Sequence, residues 1–210
     1  MWREECCSRI SDFPHINALY NPDATKLAQK LIEIKHEDNQ TILENTADYY
    51  IAHNAINDMI YINMKNVLML DIDSNNPEFL DKIKDSTETF DVYKSGSGYH
   101  AFCISKTFDY KDINSYANIV ELYSSDCLYV LFSYVKGWCV RLNLKHNETR
   151  ENVYEYIGRF GQANPTNTNI NNYCLNLVNL HIEKTKEYIT SPKMKQRDNK
   201  YTTSYAYSYI

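Results

Sequence analysis

The chain has 210 residues and a net charge of −5, with 43% hydrophobic and 23% charged residues. This is the composition of a globular protein with a core of its own, and the acidic balance excludes a protein that coats nucleic acid through overall charge. The six cysteines show no Cys-x-x-Cys pair or zinc spacing, and no apolar segment has the length of a secretion signal or a membrane span. We therefore expect an intracellular protein with free thiols, neither secreted nor bound to a membrane.

The periodicity of apolar residues predicts helices and strands in an order typical of one α+β domain with a mostly antiparallel sheet. The predicted helices cover residues 23–36, 42–57, 77–85, 111–123 and 170–189. The predicted strands cover residues 65–73, 90–94, 99–105, 127–134 and 137–144. We expect a single domain over residues 1–190, followed by a flexible tail over the polar, tyrosine-rich residues 191–210.

Two acidic residues end the most apolar of the predicted strands. Residues 67–70 are all apolar and lead directly into Asp71-Ile72-Asp73. Because residues i and i+2 of a strand point to the same face, Asp71 and Asp73 can converge on one cation. Paired carboxylates of this kind hold Mg²⁺ or Mn²⁺ beside phosphate groups. The alternative is a strand end whose acids cap the helix that follows.

A turn of small residues follows the acid pair and ends in a histidine: Ser95-Gly96-Ser97-Gly98-Tyr99-His100. The glycines suit a tight hairpin that needs positive φ angles. The functional interpretation is a loop whose backbone N–H groups approach a phosphate closely, with the histidine in reach of the same ligand. The alternative is an ordinary hairpin with a structural histidine.

Three further charged residues lie near the last predicted strand pair. Asp126 comes just before the strand 127–134, where it would add a third carboxylate to the acid pair. Arg141 and Lys145 alternate with apolar residues at the end of the second strand of this pair, 137–144. They would hold phosphates if that strand lies next to the acids. The alternative for Asp126 is an acid that simply precedes a strand. The alternative for Arg141 and Lys145 is a strand face exposed to solvent.

Taken in order, these segments resemble the motifs of the archaeo-eukaryotic primase superfamily, the group of small-subunit primases and primase-polymerases. The family pattern is a hydrophobic-Asp-x-Asp, a small-residue turn that ends in histidine, and a later hydrophobic-Asp. The matching residues lie between about 65 and 145. One departure is Ser125, which stands before Asp126 where the family has an apolar residue.

The resemblance implies a metal-dependent nucleotidyltransferase that joins nucleotides on a DNA template during primer synthesis. It assigns Mg²⁺ or Mn²⁺ to the three carboxylates of Asp71, Asp73 and Asp126. It assigns contacts with the incoming nucleoside triphosphate to a second set of residues: Ser95, Ser97, His100, Arg141 and Lys145. It also implies an RRM-like sheet beside a smaller N-terminal α/β unit and, for so short a chain, a partner helicase or accessory primase subunit.

Two other functions stay open at the level of the sequence. A catalytically degenerate primase fold would only bind nucleic acid or a replication partner. A haloacid-dehalogenase-type phosphatase would use Asp71 as a nucleophile and Asp73 as a general acid and base, with a later acidic pair on parallel strands. The primase-like function requires instead that the three carboxylates face one cleft together with His100.

Overall fold

The computed structural model describes residues 40–55, 58–73, 78–96, 98–144, 153–162 and 171–190. Within these residues the strands form two four-stranded antiparallel sheets, accompanied by four α-helices and one 3₁₀ turn. The α+β class expected from the sequence is therefore confirmed. The helix predicted over residues 23–36 and the tail predicted over residues 191–210 lie outside the described part of the chain.

The first sheet has the strand order β1-β2-β3-β7, made of Gln40–Asn45, Tyr49–Asn54, Met59–Met64 and Trp138–Arg141. The helix predicted over residues 42–57 is wrong, because this segment is the β1–β2 hairpin. The hydroxyl of Thr46 accepts hydrogen bonds from the N–H groups of Asp48 and Tyr49, a side-chain turn that competes with helix formation. The two strands are also rich in β-branched and aromatic residues, which favour a pleated sheet.

The second sheet has the order β4-β6-β5-β8, made of Met69–Ile72, Gly98–Cys103, Phe90–Ser95 and Val153–Phe160. Helix α1, Glu78–Lys84, connects β4 to β5. The strands and the helix predicted between residues 65 and 105 are confirmed in type, although β4 is shorter than predicted. Strand β8 was not predicted, and a two-bond pairing between Arg159 and the buried Asp91 on β5 holds it at the sheet edge (2.7 and 2.9 Å).

The helical segment predicted over residues 111–123 is confirmed as a 3₁₀ turn, Ile113–Ser115, followed by helix α2, Ala117–Leu122. The strand predicted over residues 127–134 is wrong, because helix α3 spans Cys127–Lys136. An apolar run without alternation fits a buried strand or a buried helix equally, and the aspartate before it decides the outcome. Asp126 caps the helix by accepting a hydrogen bond from the N–H of Tyr129 (2.6 Å).

Two hydrophobic clusters hold the sheets and helices together, one on each side of the second sheet. Leu70, Ile72 and Val92 point into the cluster shared with α1, α2 and α3. Met69 and Phe102 point the other way, into the cluster shared with the first sheet and with helix α4, Asn172–Thr190. Because strand residues alternate between faces, Asp71 lies on the side of this second cluster.

The described residues contain no helix that is both long and apolar enough to span a membrane. Three of the cysteines, Cys103, Cys139 and Cys174, are free thiols, as the sequence predicts.

Candidate active site at the acid strand

Strand pairing brings Asp71 and His100 together. Asp71 on β4 pairs directly with His100 on β6, which in turn pairs with Tyr93 on β5. The Nε2 atom of His100 lies 3.4 Å from Oδ1 of Asp71. The imidazole is 13% exposed and the carboxylate 28%, so a ligand in solution can reach Asp71, whereas His100 is mostly buried beside it. The acid and the histidine singled out from the sequence therefore belong to one site.

Asp126 reaches the same place through its backbone. Its N–H donates a hydrogen bond to the carbonyl oxygen of Asp71 (2.7 Å), and the neighbouring Ser125 accepts one from the N–H of Asp71 (3.0 Å). The carboxylate of Asp126 caps helix α3, so this residue starts a helix, and not a strand as the sequence suggested. The structure thus places the backbone of Asp126 beside that of Asp71, while its carboxylate is engaged at the N-terminus of helix α3.

The glycine turn lies against the end of the acid strand. A Cβ atom at Gly98 would lie 1.8 Å from the carbonyl oxygen of Ile72 and 3.3 Å from the Cα of Asp73, so only glycine permits this approach. Asp73 is exposed just beyond β4. Ser95, two residues after Tyr93 on β5, shares the face that carries His100. Ser97 lies outside the described residues.

Replacing Gly98 with alanine is expected to lower the free energy of unfolding by roughly 2–3 kcal/mol, because the new methyl group meets backbone that can only move with strand β4. The matched control is Gly96→Asn in the same turn. Gly96 has a φ of +48°, which asparagine tolerates, so its change should stay within about 1 kcal/mol. Chemical denaturation of both variants measures the difference, and equal losses would contradict the close approach at Gly98.

Arg141 lies at the end of β7, the strand of the first sheet that follows α3. It shares one half-buried face of this strand with Cys139, as the alternation in the sequence predicts. The carbonyl oxygen of Arg141 accepts a hydrogen bond from the hydroxyl of Tyr154 on β8 (3.2 Å). This contact joins the two sheets next to His100. Lys145 lies outside the described residues.

Two residues of the site were missed by the sequence reasoning. The ring of Tyr154 lies 5.2 Å from that of His100 and 4.9 Å from that of His181 on α4. His181 is fully buried beside Phe102. Neither of its ring nitrogens has a hydrogen bond of ordinary geometry among the described residues, although the backbone of Arg141 lies close enough to influence its pKa. Leu177, Val178 and His181 recur at helical spacing, which could have identified this histidine as a core residue. No local signal marks Tyr154.

Burial keeps His181 neutral well below neutral pH. It is the main cause that lowers the pKa of His181 to about 3. The nearby His100 also lowers this pKa, whereas the backbone of Arg141 raises it. Burial also raises the pKa of Tyr129; Ser133 opposes the rise, and Cys139, Asp71 and Tyr154 add to it. His181 and Tyr129 therefore both stay uncharged at neutral pH.

The donor set suits a hard divalent cation only in part. Within the described residues, no group of three or more His, Cys, Asp or Glu side chains is arranged to hold a metal ion. Mg²⁺ is commonly held by one or two carboxylates, with waters and substrate phosphates completing its shell. Asp71 and the exposed Asp73 can supply such a pair, whereas the carboxylate of Asp126 is engaged in capping helix α3.

No protein-family model matches this chain, and neither the curated proteins nor the solved structures contain a significant match.

Proposed function

We propose that this chain is a primase-like nucleotidyltransferase that joins nucleotides on a DNA template with Mg²⁺ or Mn²⁺. The observation that carries the proposal is the direct pairing of Asp71 with His100 at 3.4 Å. It unites the hydrophobic-Asp-x-Asp segment with the small-residue turn, the two segments that resemble the primase motifs. The hydrogen bond from the N–H of Asp126 to Asp71 adds the third segment at the same point.

The order of elements supports the same proposal. The segment β4-α1-β5-β6 forms a sheet in the order β4-β6-β5, with helices α1, α2 and α3 packed on one face and the first sheet and helix α4 on the other. An RRM-like sheet begins with the same strand–helix–strand–strand order and presents side chains of its strands to nucleic acid. Here Asp71 lies on β4, at the edge of the sheet, and His100 lies beside it on the central strand β6.

The roles follow from burial and position. Asp71 and Asp73 would hold the divalent cation, which when bound neutralises phosphate charge and stabilises the attacking and leaving oxygens of an in-line displacement. His100 is mostly buried against Asp71, so its first task is to orient that carboxylate. Ser95 lies at the edge of the same face, where it can meet the incoming nucleotide. The proposed nucleotide contacts of Ser97 and Lys145 rest on the resemblance alone.

A primer-extension and priming assay tests the proposal. The full chain, a single-stranded DNA template and labelled nucleoside triphosphates are incubated with Mn²⁺ or Mg²⁺, with and without an annealed primer. The expected result is template-dependent product that disappears when EDTA removes the metal. Absence of product with ribo- and deoxynucleotides, with both metals and with both templates, would contradict the proposal.

A degenerate primase fold that only binds nucleic acid is the second candidate, and the incomplete metal-ligand group within the described residues favours it. Retained binding of single-stranded DNA without any product would support it. The phosphatase alternative requires acids on parallel strands, and every strand pairing in the described part of the chain is antiparallel. We therefore do not propose a phosphatase.

A further inference from the structure

Strand β8 contains an irregularity beside the site. Lys94 on β5 pairs with Glu155, but the next residue, Ser95, pairs with Val153. Tyr154 is therefore an extra residue in the ladder, a β-bulge, and its φ of +52° is in the left-handed region. A tyrosine rarely adopts this conformation, because its Cβ crowds the backbone. Bulges re-aim side chains near functional sites, and strain of this kind is kept where surrounding contacts maintain it.

The bulge gives Tyr154 three contacts that an ordinary strand residue at the sheet edge would not make. Its ring packs against the imidazole of His100 at 5.2 Å. The tyrosine ring also lies 4.9 Å from the imidazole of His181, a buried residue of helix α4. Its hydroxyl donates to the carbonyl oxygen of Arg141 at 3.2 Å. One side chain thus joins the second sheet, the first sheet and helix α4 at the position of His100.

We propose that Tyr154 is a positioning residue, whose ring fixes the imidazole of His100 against Asp71 and whose hydroxyl fixes the strand that carries Arg141. Phe102, two residues further along β6, also packs near the imidazole of His100 (6.4 Å), so aromatic rings from two strands border it. The catalytic consequence rests on the proposed nucleotidyltransferase function, whereas the structural part does not depend on it.

Two substitutions separate the ring from the hydroxyl. Tyr154→Asn accepts the positive φ and removes the ring, and Tyr154→Phe keeps the ring and removes only the bond to Arg141. Tyr156→Asn is the control, because Tyr156 lies on the same strand, is 52% exposed and packs on Tyr93 (5.3 Å). Two measurements are made on the full chain: the NMR resonances of the His100 ring protons at fixed pH, and kcat and KM for nucleotide incorporation.

Tyr154→Asn should shift the His100 resonances, since the ring current of the tyrosine is lost, and should lower kcat by about 10- to 100-fold. Tyr154→Phe should keep those resonances and kcat but raise KM for the nucleotide about 2- to 10-fold, the equivalent of one hydrogen bond. The control should leave the His100 resonances and kcat unchanged. If Tyr154→Asn does not fold, Tyr154→Gly, which also accepts the positive φ, replaces it.

Each outcome bears on the proposal. Unchanged His100 resonances and kcat in the ringless variant would overturn the positioning role of the ring, and an unchanged KM in Tyr154→Phe would overturn that of the hydroxyl. If the wild-type chain makes no product, the proposed function fails. A shifted His100 resonance would in that case still support the contact between Tyr154 and His100.

Discussion

Replacing Asp71 with asparagine is expected to reduce nucleotide incorporation by at least about 10²- to 10³-fold, equivalent to ~3–4 kcal/mol of transition-state stabilisation. Asparagine keeps the shape of the side chain but removes the negative charge that a divalent cation needs. The backbone bonds of Asp71 to Ser125 and Asp126 remain, so the fold should persist. The loss should therefore be seen in kcat, with a nearly unchanged melting temperature.

The matched control for this variant is Asp81→Asn. Asp81 lies on helix α1, its side chain is 75% exposed, and it forms a surface ion pair with Lys84 (2.8 Å). Such exposed pairs contribute little to stability, so this variant should incorporate nucleotides at the wild-type rate. Equal activity of Asp71→Asn and the wild type would exclude Asp71 as a catalytic carboxylate.

Acid is expected to destabilise the fold through His181. Because the pKa of His181 is lowered to about 3 in the folded chain, the unfolded chain binds a proton near pH 6.5 that the folded chain does not bind. The stability that depends on a neutral His181 is therefore complete above about pH 6.5. It falls as the pH drops towards 3, by about 1.4 kcal/mol per unit, or roughly 2 kcal/mol at pH 5.

His181→Leu should remove this dependence. Leucine fits the apolar surroundings and leaves no buried ring nitrogen without a hydrogen bond, so its stability at pH 7 should equal or exceed that of the wild type. Urea denaturation at pH 7 and pH 5 measures the change in the free energy of unfolding for both chains. Leu177→Met, a volume-conserving change on the same helix, is the control and should keep the wild-type difference. The same pH dependence in all three chains would contradict the assignment to His181.

The sequence predicts the acid strand and its hairpin well because their signals are local. The apolar residues 67–70, the alternation of Leu70, Asp71 and Ile72, and the glycines at 96 and 98 each act within a few residues. Residues 42–57 were predicted to be a helix, although the turn at Thr46 and the β-branched and aromatic residues are local signals for a hairpin. Pairing of β2 with β3 adds a tertiary contact that the sequence does not reveal.

The sequence likewise predicts those residues of the candidate site that lie in local motifs, and misses those that long-range contacts bring in. Asp71 and His100 come from one contiguous segment, so their motifs and their meeting could be foreseen. Tyr154 enters through a bulge that exists only in relation to β5, and helix α4 brings His181 from far along the chain. The backbone of Asp126 contacts that of Asp71, but the strand expected after Asp126 is a helix, and its role as a third carboxylate stays a prediction.

The close approach of Gly98 to β4 also determines how the two strands can slide past one another. A slippage of one residue would place Ser97 or Tyr99 beneath the carbonyl oxygen of Ile72, where a Cβ atom has no room. The same slippage would turn the imidazole of His100 to the opposite face of the sheet, away from Asp71. Gly98 thus acts as a register lock: the alignment that leaves room for the backbone is also the one that brings the acid and the histidine together.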